Sequence, residues 1–181
     1  MLPPYNDYKE ILLLNVRTMT YSALMAALLV VCGWIAIPIP PVSFTLQTFG
    51  VLTALGVLGG KWGSMSVILY LAMGLVGLPV FSGFQGGAAV LLGPTGGFLW
   101  GFLLGALIYR AGEKLGRVPA MVLCQLACYG CGILWFARWA GVDPMTAALT
   151  AVVPYFIPDA IKLWLAYLVS GRIRKYRRGG S

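Results

Sequence analysis

Most of this chain consists of apolar runs long enough to cross a lipid bilayer, and that feature leaves few folds open. A helix needs about 20 apolar residues to span the hydrocarbon, within a range of about 17–25. Thr18–Ile37 meets that length without a charged side chain. Five further runs follow, at 45–59, 62–80, 88–109, 118–137 and 146–171. The run at 45–59 is short, and the last is expected to begin its main helix near Pro158, after a short preceding one. Inside hydrocarbon, backbone polar groups must be satisfied within the segment, so such runs fold as helices. The expectation is an all-α integral membrane protein: a six-transmembrane-helix bundle forming a single membrane domain over 1–181. Seventeen residues precede the first span, and a basic tail occupies 172–181. Composition agrees. Of 181 residues, 60% are hydrophobic and 10% charged, whereas soluble domains carry roughly 25% charged residues.

Orientation follows from lysine and arginine, which collect in short cytoplasmic loops. With both termini in the cytoplasm, the inner segments hold Lys9, Arg17, Lys61, Arg110, Lys114, Arg117, Arg172, Arg174, Lys175, Arg177 and Arg178, eleven in all. The outer loops then hold only Arg138, and Lys162 lies within a span. An odd number of spans would split the two basic termini across the membrane. The basic tail next to an apolar run reads as a cytoplasmic anchor rather than a nucleic-acid surface. The first apolar run is longer than the roughly 7–15 residues of a signal-peptide core, so no cleavable signal is expected.

Chemistry is sparse. Cys124, Cys128 and Cys131 have the spacing of an iron–sulfur site, but they fall on one face of one apolar run. With no histidine in the chain, they read as small buried residues, and no metal site or disulfide framework is expected. Lys61 follows no Gly-x4-Gly-Lys-Ser/Thr pattern, so the chain has no nucleotide site of its own. No catalytic set and no cofactor are expected.

Asp159 and Lys162 are the sharpest polar feature. Their spacing places both on one helix face. Lys162 lies ten residues from Arg172, about 15 Å along a helix, which is mid-bilayer depth if Arg172 marks the inner boundary. Ionisable residues at that depth face a cavity or each other. The pair is therefore either a structural ion pair or part of a polar solute site.

Small residues recur elsewhere. Gly93, Gly97, Gly101 and Gly105 form a four-residue repeat, as close helix packing requires. In Gly93-Pro94-Thr95-Gly96-Gly97 the repeat begins as a loop whose free backbone N–H groups are candidates for an anionic or carbonyl group. Ala23 and Ala27 make a second small-residue face, either for packing within the bundle or for docking a partner helix. The outer connections 37–49 and 77–87 are apolar and rich in Gly and Pro; they either fold over the bundle mouth as a lid or rest in the membrane interface.

Four segments, in order, carry a resemblance. Ile37-Pro38-Ile39-Pro40-Pro41-Val42-Ser43-Phe44-Thr45-Leu46-Gln47-Thr48-Phe49 is similar to the first outer loop of the BioY family. Gly77-Leu78-Pro79-Val80-Phe81-Ser82-Gly83 and Val90-Leu91-Leu92-Gly93-Pro94-Thr95-Gly96-Gly97-Phe98 resemble its next two signatures, and Pro158-Asp159-x-x-Lys162 its sixth-helix motif. The resemblance runs from about Thr18 to Arg174. Ser43 stands where proline is expected and Phe98 where tyrosine is common; Phe98 weakens any ligand contact that the tyrosine hydroxyl would make.

The resemblance implies the biotin-binding S component of an energy-coupling-factor (ECF) transporter. Such a component captures biotin from outside at the prokaryotic cell membrane, with an ECF transmembrane coupling protein and cytoplasmic ATPases as partners. Ala23 and Ala27 match the docking motif. The implied ligand-binding residues are Asp159, Lys162, Gln47, Thr45, Thr95, Gly96, Gly83, Tyr129 and Tyr155. Lys162 suits the biotin carboxylate and Asp159 a ureido N–H; the alternative has Asp159 merely orienting Lys162. An S component for another vitamin, or a passive channel or structural membrane protein, are the alternative functions.

Overall fold

The computed structural model describes residues 5–40 and 42–179, and side chains over 16–40 and 42–176. Pro41 and the side chains of Lys9, Arg177 and Arg178 lie outside the described residues. Helix α1 (Tyr5–Trp34) begins well before the expected Thr18. It stops where the prolines of the first loop forbid further helix. There the chain forms a two-stranded antiparallel ribbon, β1 (Ala36–Ile37) against β2 (Phe44–Thr45). This piece of β-structure departs from the all-α expectation. Its physical reason is that Pro38 and Pro40 impose extended backbone, and extended segments at a membrane face pair with each other to satisfy their polar groups.

Helix α2 (Gln47–Leu75) is continuous by hydrogen bonding, but Gly59 interrupts it at φ 80°, ψ 173°, a conformation essentially restricted to glycine. The chain reverses there. Gln47 at one end donates to the Tyr70 hydroxyl at 2.5 Å, which a straight helix would separate by about 34 Å. The arms 47–58 and 60–75 cross closely: a Cβ on Gly63 would sit 2.7 Å from the Leu55 Cα. The turn at 59–61 thus coincides with the expected gap between two spans. After α2, α3 (Ala88–Leu92) and α4 (Gly96–Gly112) divide the expected span at 88–109. The division falls at Gly93-Pro94-Thr95, since Pro94 cannot continue a helix. Helix α5 (Arg117–Ala140) follows, then α6 (Pro144–Ala151), a 3₁₀ turn at Val153–Tyr155, and α7 (Phe156–Gly179). Pro158 lies in the first turn of α7, where its missing N–H costs no hydrogen bond.

The arms of α2 are central. They pack against α1, α4 and α7, while α5 closes the far side through α4 and carries α6. The core contains Leu29, Leu52, Leu55, Val67, Tyr70, Phe81, Phe102, Tyr109 and Met121. Tyr70 and Phe81 meet edge to face, with centroids 5.5 Å apart. The α4–α5 seam is the tightest contact. A Cβ on Gly101 would come within 2.9 Å of the Cys128 Cα, and one on Gly105 within 2.7 Å of the Cys124 carbonyl oxygen. The glycine repeat and the cysteine face are two halves of one interface.

Large apolar side chains cover the outside, among them Met19, Leu24, Leu107, Leu126, Ile157 and Trp164. Four stretches among the described residues are long and apolar enough to cross a membrane: Val16–Trp34, Gln47–Leu75, Arg117–Ala140 and Pro144–Tyr176. Water is a poor solvent for such a surface, and lipid a good one. The two ends of the bundle differ. Arg110 and Glu113 lie beside the Gly59–Gly60 turn at one end, where Arg117 also meets Gly171 and Tyr167 of α7. The β-ribbon, the 76–87 segment, α3 and α6 gather at the other.

Candidate functional site

A cavity opens between α7, α5, α4 and the β-ribbon. Its empty space, counting the open solvent at its mouth, is about 740 Å³. Helix α7 supplies Asp159 and Lys162, only 6% and 5% exposed. The Lys162 ammonium donates to Asp159 Oδ1 at 2.7 Å. Asp159 Oδ2 accepts from the Tyr129 hydroxyl at 2.9 Å and from Gln125 Nε2 at 3.4 Å. Tyr129 and Gln125 stand one helical turn apart on α5, so one face delivers both. On its open side the ammonium lies 3.8 Å from the centroid of the Phe44 ring, a distance at which an aromatic face attracts a cation. Two buried charges in nonpolar surroundings survive only when paired and hydrogen-bonded. Here the pair is neutral as a unit, and three donors share the carboxylate.

The opposite wall is also pre-arranged. Gln47 Oε1 accepts from the Thr45 hydroxyl at 3.2 Å, and its amide nitrogen donates to Tyr70. The Tyr70 hydroxyl donates to the Val80 carbonyl at 3.3 Å. Gly33 of α1 makes room for this cluster, since a Cβ there would lie 2.8 Å from the Val80 oxygen. The ribbon is held over the cavity from α7's side. The Tyr155 hydroxyl donates to the Val42 carbonyl, and the Tyr155 and Phe44 rings stack with centroids 6.3 Å apart. Val42, Ser43, Phe44 and Thr45 all line the cavity, so the 37–49 connection covers it. The 76–87 connection is pinned beside it, through Trp34 Nε1 donating to the Pro79 carbonyl at 2.8 Å.

Seven of the nine residues singled out as ligand-binding line this one cavity: Asp159, Lys162, Gln47, Thr45, Thr95, Tyr129 and Tyr155. Gly83 and Gly96 do not. Gly83 borders an adjoining hollow that shares Ser43, Ser82, Gln85, Val90 and Thr95 with the cavity. Gly96 is buried against the Leu91 backbone, where a Cβ would collide. The Gly93 carbonyl accepts from Trp135 Nε1 at 2.9 Å, so part of that loop is tied to α5. The cavity also takes in residues that sequence reading did not select, notably Phe44, Gln85, Phe98 and Gln125. Gln125 had a usable signal, as an amide inside an apolar run; Phe44 had none. Among the described residues no cluster is suited to a metal ion.

Ala23 and Ala27 are exposed, while Ser22, Ala26 and Leu29 turn into the bundle. Packing within the bundle therefore does not account for the alanine pair.

With this arrangement in view, comparison with known proteins is decisive. The BioY family profile matches residues 7–179. The chain belongs to the BioY family. It is 39% identical over 165 residues to the biotin transporter BioY of Thermotoga maritima, covering 88% of this chain and 96% of that one. It is 37% identical over 176 residues to the biotin transporter BioY of Lactococcus lactis subsp. cremoris, covering 89% and 92%. A solved structure of the S-component for biotin from an ECF-type ABC transporter superposes with a TM-score of 0.80 at 30% identity, covering 98% of this chain and 95% of that one. As a BioY chain, this one carries Ser43 and Phe98 on the cavity wall, so both departures from the expected family pattern fall where a ligand would feel them.

Proposed function

We propose that this chain is the substrate-binding membrane component of biotin uptake, capturing biotin from the outside and delivering it inward. The observation that carries the reading is the buried Asp159–Lys162 pair on the wall of a preformed cavity, in a chain whose relatives are biotin transporters. Biotin combines an apolar bicyclic ring and valeryl chain with a ureido group at one end and a carboxylate at the other. Phe44, Phe81, Phe98 and Phe102 would enclose the apolar part, and Gln47, Thr45 and Thr95 are neutral partners. Asp159 already accepts from three donors. That supports its role as the group orienting Lys162, with the ammonium as donor to the ligand. Gly83 belongs on the approach to the cavity.

The topology is proposed as one membrane domain of six spans with both termini cytoplasmic. The reversal at Gly59 supports dividing Gln47–Leu75 into two spans. The gathering of Arg110 and Arg117 opposite the cavity supports an outward-facing site. Docking of an ECF transmembrane coupling protein with its cytoplasmic ATPases is proposed at Ala23 and Ala27, on the exposed face of α1. The location is the prokaryotic cell membrane.

Equilibrium binding of radiolabelled biotin to the purified chain tests the reading. One site per chain, competed by unlabelled biotin and not by other vitamins, is the expected result. Preference for another vitamin would reassign the substrate. The absence of saturable binding would favour a channel or structural role.

A further inference from the structure

We propose that the lipid-facing side of the α4–α5 pair holds a phospholipid of net negative charge, with an acyl chain in a groove of indole rings and its phosphate on Arg138. This rests on the membrane reading of the chain and not on biotin. The groove shares no lining residue with the cavity, and its space, counting the open side, is about 980 Å³. Helix α5 supplies Cys131, Leu134, Trp135, Arg138 and Trp139. Their spacing of three and four puts all five on one helix face. Helix α4 supplies Trp100 and Gly97. Gly97 forms the floor, where a Cβ would collide with Trp135.

Two of the rings are fixed by the protein itself. Trp135 Nε1 donates to the Gly93 carbonyl at 2.9 Å, and Trp100 Nε1 donates to the Leu91 carbonyl at 3.2 Å. Tryptophan is common at membrane interfaces, but a concave face with hydrogen-bonded walls offers a chain more contact than a convex one. The groove also has a polarity. Arg138 lies seven residues beyond Cys131, about 10 Å along the helix, in the last turn of α5. Arg138 is the only charged side chain on the groove wall. Arg138 is exposed, and no carboxylate answers it. Among the described residues the only ion pair is Asp159–Lys162. Asp143, the acid nearest in sequence, gives both carboxylate oxygens to Thr146. A guanidinium presents paired N–H groups that match a phosphate. An apolar groove that ends in an unanswered guanidinium repeats the order of a lipid, chain first and phosphate last. A zwitterionic headgroup would bring its own cation beside Arg138, whereas an anionic one does not.

The test is native mass spectrometry of the purified chain with an equimolar mixture of dioleoyl-phosphatidylglycerol and dioleoyl-phosphatidylcholine. Wild type is compared with Arg138→Gln, Arg138→Lys and Cys131→Phe. The basic opposite end attracts the same lipid, so the readout is the difference from wild type. Arg138→Gln should weaken one phosphatidylglycerol site per chain about fivefold. Arg138→Lys keeps the charge and should retain most of that binding. Cys131→Phe fills the groove at unchanged charge and should release the same molecule. Wild-type retention in Arg138→Gln would overturn the proposal and leave the three tryptophans as ordinary interface anchors. Loss in Arg138→Gln with full retention in Cys131→Phe would overturn the groove, leaving a headgroup on a surface charge. Should Cys131→Phe not fold, Trp139→Ala at an exposed position takes its place with the same two outcomes. None of these outcomes depends on whether the chain binds biotin.

Discussion

The α4–α5 seam and the outer face of α1 are written in the same notation and have opposite fates. Gly97, Gly101 and Gly105 repeat at four-residue spacing, as do Ala23 and Ala27. Trp135, Cys128 and Cys124 fill the first set to contact, whereas the second lies exposed. The cavity wall resembles the α1 face in this respect, since Gln125 Oε1 is left without a partner. A finished interface concerns the fold. An unfinished one concerns something that arrives later. Substitutions should therefore move different readouts in the three places, stability at the seam, ligand affinity at the cavity and coupling on α1.

The largest effect is expected at the cavity. Lys162→Ala removes the proposed donor to the ligand and leaves the Asp159 carboxylate without its counter-charge, held only by Tyr129 and Gln125. Truncating one partner of a buried, hydrogen-bonded charge pair costs about 2–5 kcal/mol, or roughly 30-fold to several thousand-fold in affinity. Titrating biotin and its carboxyl amide against the variant checks this. Equal loss for both ligands would put the ureido carbonyl on Lys162. Selective loss of the preference for the free acid would put the carboxylate there instead. A folded variant with wild-type affinity would reduce the pair to a structural one and erase the distinction between cavity and seam.

Gly101→Leu comes next. A Cβ there already approaches the Cys128 Cα at 2.9 Å, and overpacking a filled contact typically costs about 1–3 kcal/mol or more. Thermal unfolding in detergent should shift down. The surviving folded fraction should bind biotin as before, because the glycine does not line the cavity. Equal destabilisation by Ala27→Leu would break the comparison.

Ala27→Trp should leave stability within about 0.5 kcal/mol, as at other exposed positions, and leave biotin binding intact, while ATP-driven uptake in cells falls. Parallel loss of binding and uptake would turn the α1 face into a bundle contact. Unchanged uptake would remove partner docking from this face.

The smallest effect concerns α6, whose Ala147 and Ala151 pack in one apolar cluster with Val42 and Phe136, Ala151 also lining the cavity. Asp143 caps it, accepting from the Thr146 hydroxyl at 2.6 Å and its backbone N–H at 2.9 Å. These bonds hold the carboxyl below its ordinary range. A depressed folded value contributes stability above the unfolded value and loses it as pH falls through the folded one. Amide exchange at the start of α6 should thus quicken only in acid, and Asp143→Ala should show the quicker exchange already at neutral pH.

Much of the fold was legible because the bilayer imposes it. Apolar run lengths, the prolines after Ile37 and Gly93-Pro94-Thr95 mark where helices stop, and their effects are local. The α2 reversal was legible as a gap at 60–61. The β-ribbon was not, because strand pairing depends on which extended segment meets which. In the site, Asp159 and Lys162 announce themselves by the cost of charge in an apolar run, and Thr45, Gln47, Tyr129 and Tyr155 line the same cavity. Phe44 over the ammonium and Tyr155 under Val42 join residues that are far apart in the chain, and no periodicity encodes that.

The sequence by itself determined the solvent, the helical class, the uneven ends and the presence of one buried ion pair, because each follows from composition or from neighbours within a helical turn. Only the tertiary structure decided which small-residue stripe is filled and which is bare. It also decided that Asp159 is committed to three internal donors, leaving the open acceptor to Gln125. Those outcomes depend on which surfaces meet across the bundle. Spacing along one helix defines a face, but what the face touches is set by the packing of the others.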